Sequence, residues 1–173
     1  MDIRPLPSSP EQEKSILSSM MQDAHEFVGF AIERGLRSDD FGVPYHAVLY
    51  TTLLELYEKG QPVELVSLSQ MLKDRGMLDN LGGPSGLALI FSAAGAPGEH
   101  FEHHLKAVLN SSLLRQLITE CCRFSNQAFD RPEEAVELLD RAESGLHALR
   151  PSEASGGLVS AQAAAAAGLR GCG

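Results

Sequence analysis

The stretch "EHFEHHLKAVLNSSLLRQLITECCRFSNQA", residues 99–128, contains neither glycine nor proline. Because these two residues interrupt helices most often, the stretch predicts one long α-helix. Asp130, followed by Pro132 and two glutamates, is typical of a helix start, so a last helix is expected directly afterwards. Its apolar positions recur at helical spacing: Ala135, Leu138, Leu139, Ala142, Leu146 and Leu149. The short connector between these helices predicts an antiparallel helical hairpin.

The apolar side chains of the first hairpin helix cover more of its surface than one packing partner requires. Placed at about 100° per residue, they spread over roughly half the circumference. They are Leu113, Leu114, Leu117, Ile118, Cys121, Cys122, Phe124 and Ala128. Two neighbours are therefore expected, one being the last helix and the other either the rest of the chain or a second subunit. The candidate subunit or partner interface consists of Leu113, Leu114, Leu117, Ile118, Cys121, Cys122 and Phe124 with Leu138, Leu139 and Leu146.

The residues before the hairpin are predicted to form a globule of shorter helices. Residues 9–12 and 23–26 each have the pattern of a helix-capping box, which predicts one helix over 10–22 and a second that ends at Gly35. A third helix carries Val48, Leu49, Thr52, Leu53 and Leu56 on one face.

Glycine and proline mark the turns between these helices. Four positions are predicted to shape turns around the core: Gly60, Pro62, Gly82 and Gly83. Between them, Ser67 and Gln70 have the spacing of a capping box and predict a short helix. The segment "GLALIFSAA", residues 86–94, predicts a further buried helix.

We find no pair of strands and no internal repeat, so the predicted fold class is all-α, a compact helical globule followed by a long antiparallel hairpin. We expect a flexible segment over residues 1–8, a globular subdomain over 9–98 and a hairpin subdomain over 99–149. Residues 150–173 are rich in small side chains and are expected to be a linker or truncated tail. At most a short alanine-rich helix is expected there, at 159–167.

Charge and composition limit the classes of function. The formal net charge is -9 and the pI is near 5.1, so this surface repels a phosphate backbone and little direct DNA binding is expected. No stretch approaches about 18 consecutive apolar residues and no signal peptide is recognisable, so no membrane association is expected. Three cysteines, two of them adjacent, form no disulfide framework, which favours a reducing cytoplasm.

Catalytic motifs are weak or missing. The chain has neither a GxxxxGK[ST] phosphate loop nor a GxSxG elbow. Glu99 and His103 have the i, i+4 spacing of metal ligands on one helix face, as do His100 and His104. Exposed residues at a helix start are the better interpretation. His46 is a candidate general base, although a structural histidine is favoured. No catalytic residue, cofactor or metal is therefore expected in this chain.

Four stretches, in this order, carry a similarity to a known family. They are "SSPEQEKSILSSMM", "LRSDDFGVPYHAVLYTTLLELYEKGQPVELVSLSQMLKDRGMLDNLGG", "LLRQLI" and "ELLDRAESGLHAL". The most specific matches are Asp40-Phe41, His46, Gly60-x-Pro62-Val63 and Gly82-Gly83. Over about residues 8–149 the chain resembles the N-terminal domain of DnaB-type replicative DNA helicases.

This resemblance implies a non-catalytic role. In that family the domain is a helical globule with a helical hairpin, hairpins pair between subunits, and six copies form a collar that docks primase and helps loaders act on the hexamer. Self-association from dimer to hexamer is therefore expected, with primase, a loader and the helicase motor domain as partners. ATP and magnesium are expected only for the RecA-like motor domain, which has no counterpart in this sequence.

Two alternatives belong to other classes. One is a stand-alone adaptor or inhibitor that mimics the helicase collar. The other is a small metalloenzyme that uses His100, His103 and His104.

Overall fold

The computed structural model describes residues 5–93, 100–130 and 135–150. These ranges contain helices and turns but no strand, which confirms the all-α fold class. The α-helices are α1 (Pro10–Gln22), α2 (Ala24–Glu33), α3 (Pro44–Glu58), α4 (Leu65–Asp74), α5 (Gly83–Phe91), α6 (Phe101–Asp130) and α7 (Ala135–Ala148), with short 3-10 helices at Ser38–Asp40 and Asp79–Leu81. None of these helices combines the length and apolarity needed to cross a bilayer. The predicted flexible start, the Pro132 helix start and the helix at 159–167 involve residues outside the described ranges.

One hydrophobic core joins α1 to α5 and the first part of α6. α1 lies at its centre and packs against α2, α3, α5 and α6. The largest fully buried side chains include Ile16, Leu17, Met20, Leu49, Tyr50, Leu53 and Leu105. Phe101 and Val108 of α6 are buried in the same core. The core of the globule thus extends into α6, while the subdomain boundaries stay a prediction.

The predicted helix starts are found for α1 and α2, with one difference in detail. Ser9 precedes Pro10 at the start of α1, but the buried Ser9 hydroxyl makes no hydrogen bond to any described residue, so the predicted capping box is wrong there. At α2, Asp23 Oδ1 accepts a hydrogen bond of 3.0 Å from the backbone N–H of Glu26, which confirms the predicted cap.

The capping box predicted at Ser67 and Gln70 is also wrong. α4 begins at Leu65, and Glu64 before it has an extended backbone (φ -119°, ψ 146°). Ser67 therefore lies inside the first turn, where its hydroxyl is past the capping position. Gln70 Nε2 donates instead to Asp74 Oδ1, 2.6 Å away.

Two turns use the backbone freedom of glycine. Gly82 and Gly83 lead into α5 with φ values of 83° and 69°, in the left-handed region that side chains rarely adopt. Gly60 has φ 61° at the end of α3. A further requirement, which the sequence did not indicate, occurs at Gly86, where a Cβ would lie 1.7 Å from the backbone oxygen of Leu81.

α5 is buried on one face only, which corrects the prediction of a buried helix. Leu87 and Ile90 lie in the core, whereas Leu89 is 72% exposed. Helical rotation separates Leu89 from Leu87 by about 200°, so the two side chains point to nearly opposite faces.

Candidate interaction surface of the helical hairpin

The 30 residues of α6 lie in two different environments. Phe101, Leu105, Val108 and Ser112 are buried, and their spacing of four, three and four residues defines one helix face that packs on the globule. After Ser112, only Phe124 among the residues of α6 is buried. α6 therefore leaves the globule after Ser112 and continues as the first arm of the hairpin.

α7 packs back along this second half of α6. A Cβ at Gly145 would lie 2.9 Å from Phe124 Cζ and 3.6 Å from Glu120 Oε2, so a late residue of α7 lies beside the middle of α6. This arrangement confirms the predicted antiparallel hairpin. No residue of α7 is buried, so the hairpin covers its own apolar side chains only in part.

The predicted interface on α6 is partly open to solvent. Leu114, Leu117 and Ile118 are 39%, 40% and 38% exposed, and both cysteines after them are exposed as free thiols. We call this set, Leu114, Leu117, Ile118, Cys121 and Cys122, the hairpin stripe. At about 100° per residue its members lie within an arc of about 140°. Neither α7 nor the globule of the same chain buries this stripe.

The other residues of the predicted interface differ in their burial. Phe124 is buried beside Gly145, and Leu113 is half-buried. On α7, Leu138 is half-buried, whereas Leu139 and Leu146 are exposed. Whether these residues contact a second subunit stays a prediction.

The tip of the hairpin adds one apolar side chain that the sequence did not indicate. Phe129 is 84% exposed, in the last turn of α6. It was overlooked because the helix was expected to end at about residue 128. Its angular position continues the hairpin stripe, so the apolar surface extends towards the tip.

His46 has a buried partner from another helix. Its Nδ1 lies 2.8 Å from Glu13 Oε2, and both side chains are fully buried. Burial raises the pKa of the Glu13 carboxyl, but hydrogen bonds from His46, Gly42 and Val43 outweigh it and leave the pKa below its ordinary value of 4.5. Because solvent does not reach the pair, a substrate has no access to His46 as a general base.

The sequence analysis did not single out Glu13 as the partner of His46, although a signal for its burial exists. It lies three residues before Ile16 and four before Leu17, on the face of α1 that is otherwise apolar and buried. A charged residue at such a position requires a buried partner. The sequence does not tell which residue that partner is.

The histidines at the start of α6 do not assemble a metal site with the residues described. His104 Nδ1 lies 2.7 Å from Ser15 Oγ, across the contact between α6 and α1. Burial, followed by the neighbouring charges of His103 and His100, lowers the pKa of His104. Within 5–93, 100–130 and 135–150, no three His, Cys, Asp or Glu side chains come together as ligands, and Glu99 falls outside these ranges.

Known proteins share both this sequence pattern and this fold. The chain is 28% identical over 137 residues to the replicative DNA helicase DnaC of Bacillus subtilis, covering 79% of this chain and 30% of that protein. It is 29% identical over 143 residues to the replicative DNA helicase DnaB of Mycobacterium leprae, covering 82% of this chain and 23% of that protein. The chain thus spans less than a third of the length of these relatives.

Solved structures give the same result. The crystal structure of the N-terminal domain of DnaB helicase from Mycobacterium tuberculosis is similar with a TM-score of 0.74 and 28% identity, covering 83% of this chain and 99% of that one. The structure of a DnaB-like replicative helicase and its interactions with primase gives a TM-score of 0.65 at 22% identity, covering 84% of this chain and 32% of that one, and shows likeness of fold. The profile of the DnaB-like helicase N terminal domain matches residues 5–110. The chain therefore belongs to the family of DnaB-like helicase N-terminal domains.

Proposed function

We propose that this chain is the non-catalytic assembly domain of a hexameric replicative DNA helicase, acting in the cytoplasm during DNA replication. In this role it pairs with further copies through the hairpin and docks primase and a helicase loader. The observation that carries the proposal is the hairpin stripe, an apolar surface that the described part of its own chain leaves partly open.

Partial exposure of the stripe supplies a driving force for pairing. Covering the remaining apolar surface of each leucine or isoleucine would stabilise an association by about 1 kcal/mol. Several such side chains lie on one helix face, and two copies of that face contribute to each paired interface.

Charge favours protein partners over DNA. The net charge of -9 opposes a direct contact with a phosphate backbone. Primase is supported by the related helicase whose structure is described together with its interactions with primase. ATP and magnesium would belong to the motor domain, in the part of the relatives that this chain does not span.

Light scattering over a concentration series tests the proposal. The molar mass of the parent chain should rise with concentration from monomer towards dimer or hexamer. Leu114→Asp and Ile118→Asp should each shift this rise to higher concentration, because a charge on the hairpin stripe must lose its hydration when two copies pair.

The matched control is Val66→Asp. Val66 is also an exposed apolar residue, but it lies on α4 in the globule. It should leave the mass curve unchanged. A parent chain that stays monomeric throughout, or variants of the stripe that assemble like the parent, would contradict the proposed pairing surface.

A further inference from the structure

A group of polar contacts lies where α6 passes from the globule into the hairpin. Ser112 Oγ donates to Asp40 Oδ1 over 2.6 Å, and Arg115 Nη2 donates to the backbone oxygen of Asp40 over 2.6 Å. Arg115 Nη1 also donates to the backbone oxygen of Pro7, 3.0 Å away. Past Val108, the contacts of α6 with the globule thus include these three hydrogen bonds.

The segment that carries Asp40 is fixed by one hydrogen bond within it and by another to α1. Asp40 is buried, and its Oδ2 accepts a hydrogen bond of 2.7 Å from the backbone N–H of Arg37. Two residues later, the N–H of Gly42 donates to Glu13 Oε1 over 2.8 Å. A Cβ at Gly42 would lie 3.2 Å from both Arg115 Nη1 and Glu13 Oε1, so this loop is closely surrounded. Asp40 therefore offers α6 an acceptor whose position is determined by the globule.

We propose that Asp40, Ser112 and Arg115 form a joint that sets the direction in which the hairpin leaves the globule. The apolar contacts of Phe101, Leu105 and Val108 and the contact of His104 with Ser15 hold the first part of α6 on the globule, but all of them lie before Ser112. Hydrogen bonds are directional, and those from an arginine are among the stronger ones. The three residues are positioning residues, because they orient the hairpin stripe without belonging to it.

The joint matters for assembly because it determines where the hairpin stripe points. In this respect alone the inference rests on the proposed function. The direction of the hairpin is a property of one chain, however, and a distance measured within one chain tests it separately from pairing.

Electron–electron distance measurements on the full chain test the joint. Spin labels are attached to cysteines replacing Glu58, at the end of α3, and Asn126, an exposed position in the hairpin, with serine in place of all native cysteines. Labelled chain is diluted into excess unlabelled chain, so that only distances within one chain are recorded. The parent should give a single narrow distance peak. Ser112→Ala combined with Arg115→Ala should lose this peak and give a broad distribution.

Arg123→Ala is the matched control. Arg123 lies on the same helix beyond the joint, and its Nε donates to Glu120 within that helix. This variant should keep the narrow peak. A double variant with the same narrow peak as the parent would overturn the inference. If circular dichroism shows that the double variant is unfolded, Ser112→Ala alone is measured, and retention or loss of its peak decides in the same way.

The two proposals fail in different ways. Leu114→Asp should reduce the molar mass at high concentration while keeping the narrow distance peak, because it changes the stripe and leaves the joint intact. Leu114→Asp and Arg123→Ala both leave Ser112 and Arg115 unchanged. If both variants lose the narrow peak, the joint does not set the direction of the hairpin.

Discussion

The two halves of α6 have similar apolar content but different surroundings. In the first half, Phe101, Leu105 and Val108 are buried by the globule of the same chain. In the second half, Leu114, Leu117 and Ile118 remain more than a third exposed, although they belong to the same unbroken helix. The comparison shows that apolar residues in a helix can serve the core or an external surface, depending on what the rest of the chain places opposite them.

The largest difference should appear when one leucine of each half is replaced by alanine and the free energies of unfolding are compared. Leu105→Ala removes a fully packed side chain and should lower the free energy of unfolding by about 3 kcal/mol. Leu117→Ala removes a partly exposed side chain and should cost less than about 1 kcal/mol in the monomer. Urea unfolding at a concentration where the chain is monomeric measures both. Equal losses would remove the distinction between the halves.

A second prediction concerns the buried polar contacts of the globule. Glu13→Gln should lower the free energy of unfolding by about 2 kcal/mol at pH 7, because it weakens hydrogen bonds to a buried carboxylate. The pKa of Glu13 is lowered in the folded state, so this contribution is present above its unfolded value of 4.5 and is lost as pH falls through the folded value. The gap between parent and variant should therefore shrink below about pH 4.5.

Glu143→Gln provides the control from the hairpin. Glu143 is exposed on α7, so this substitution should leave the free energy of unfolding nearly unchanged at pH 7 and at pH 3. A parent and a Glu13→Gln variant that differ by the same amount at pH 7 and pH 3 would contradict the assigned role of this carboxylate.

The last comparison concerns two helical glycines, one in each region, of which Gly145 should give the smallest effect. Gly86→Ala places a Cβ 1.7 Å from the backbone oxygen of Leu81, so the backbone must shift, and we expect a loss of about 3 kcal/mol in the free energy of unfolding. Gly145→Ala meets the edge of the Phe124 ring at 2.9 Å, and alanine also favours the helix, so the net change should stay within about 1 kcal/mol. Thermal unfolding of both variants checks the order. A greater loss at Gly145 would mean that the hairpin is packed more rigidly than the globule.

Local signals predicted much of the fold. The absence of glycine and proline indicated α6 to within two residues at each end, and Asp23 capped its helix as expected. The Ser67 capping box failed because such short patterns also occur inside helices, and only the preceding extended chain determined the start of α4.

Long-range contacts explain what could not be predicted. The periodicity of α6 identified its apolar side chains, but it did not tell that Phe124 faces α7 while Ile118 faces solvent. Likewise, His46 was recognised as a residue of interest, yet its partner Glu13 lies 33 residues away on another helix. Such pairings depend on tertiary packing, on which a single sequence gives no direct information.

The contact between α1 and α6 has a consequence for the order of folding. Ser15 and His104, which meet across it, are separated by 89 residues in the chain. During synthesis, the apolar surface of the globule that packs against Phe101 and Leu105 stays open until the start of α6 has emerged from the ribosome. A nascent chain that ends near residue 98 would thus expose this apolar surface, to which a chaperone could bind at that stage of synthesis.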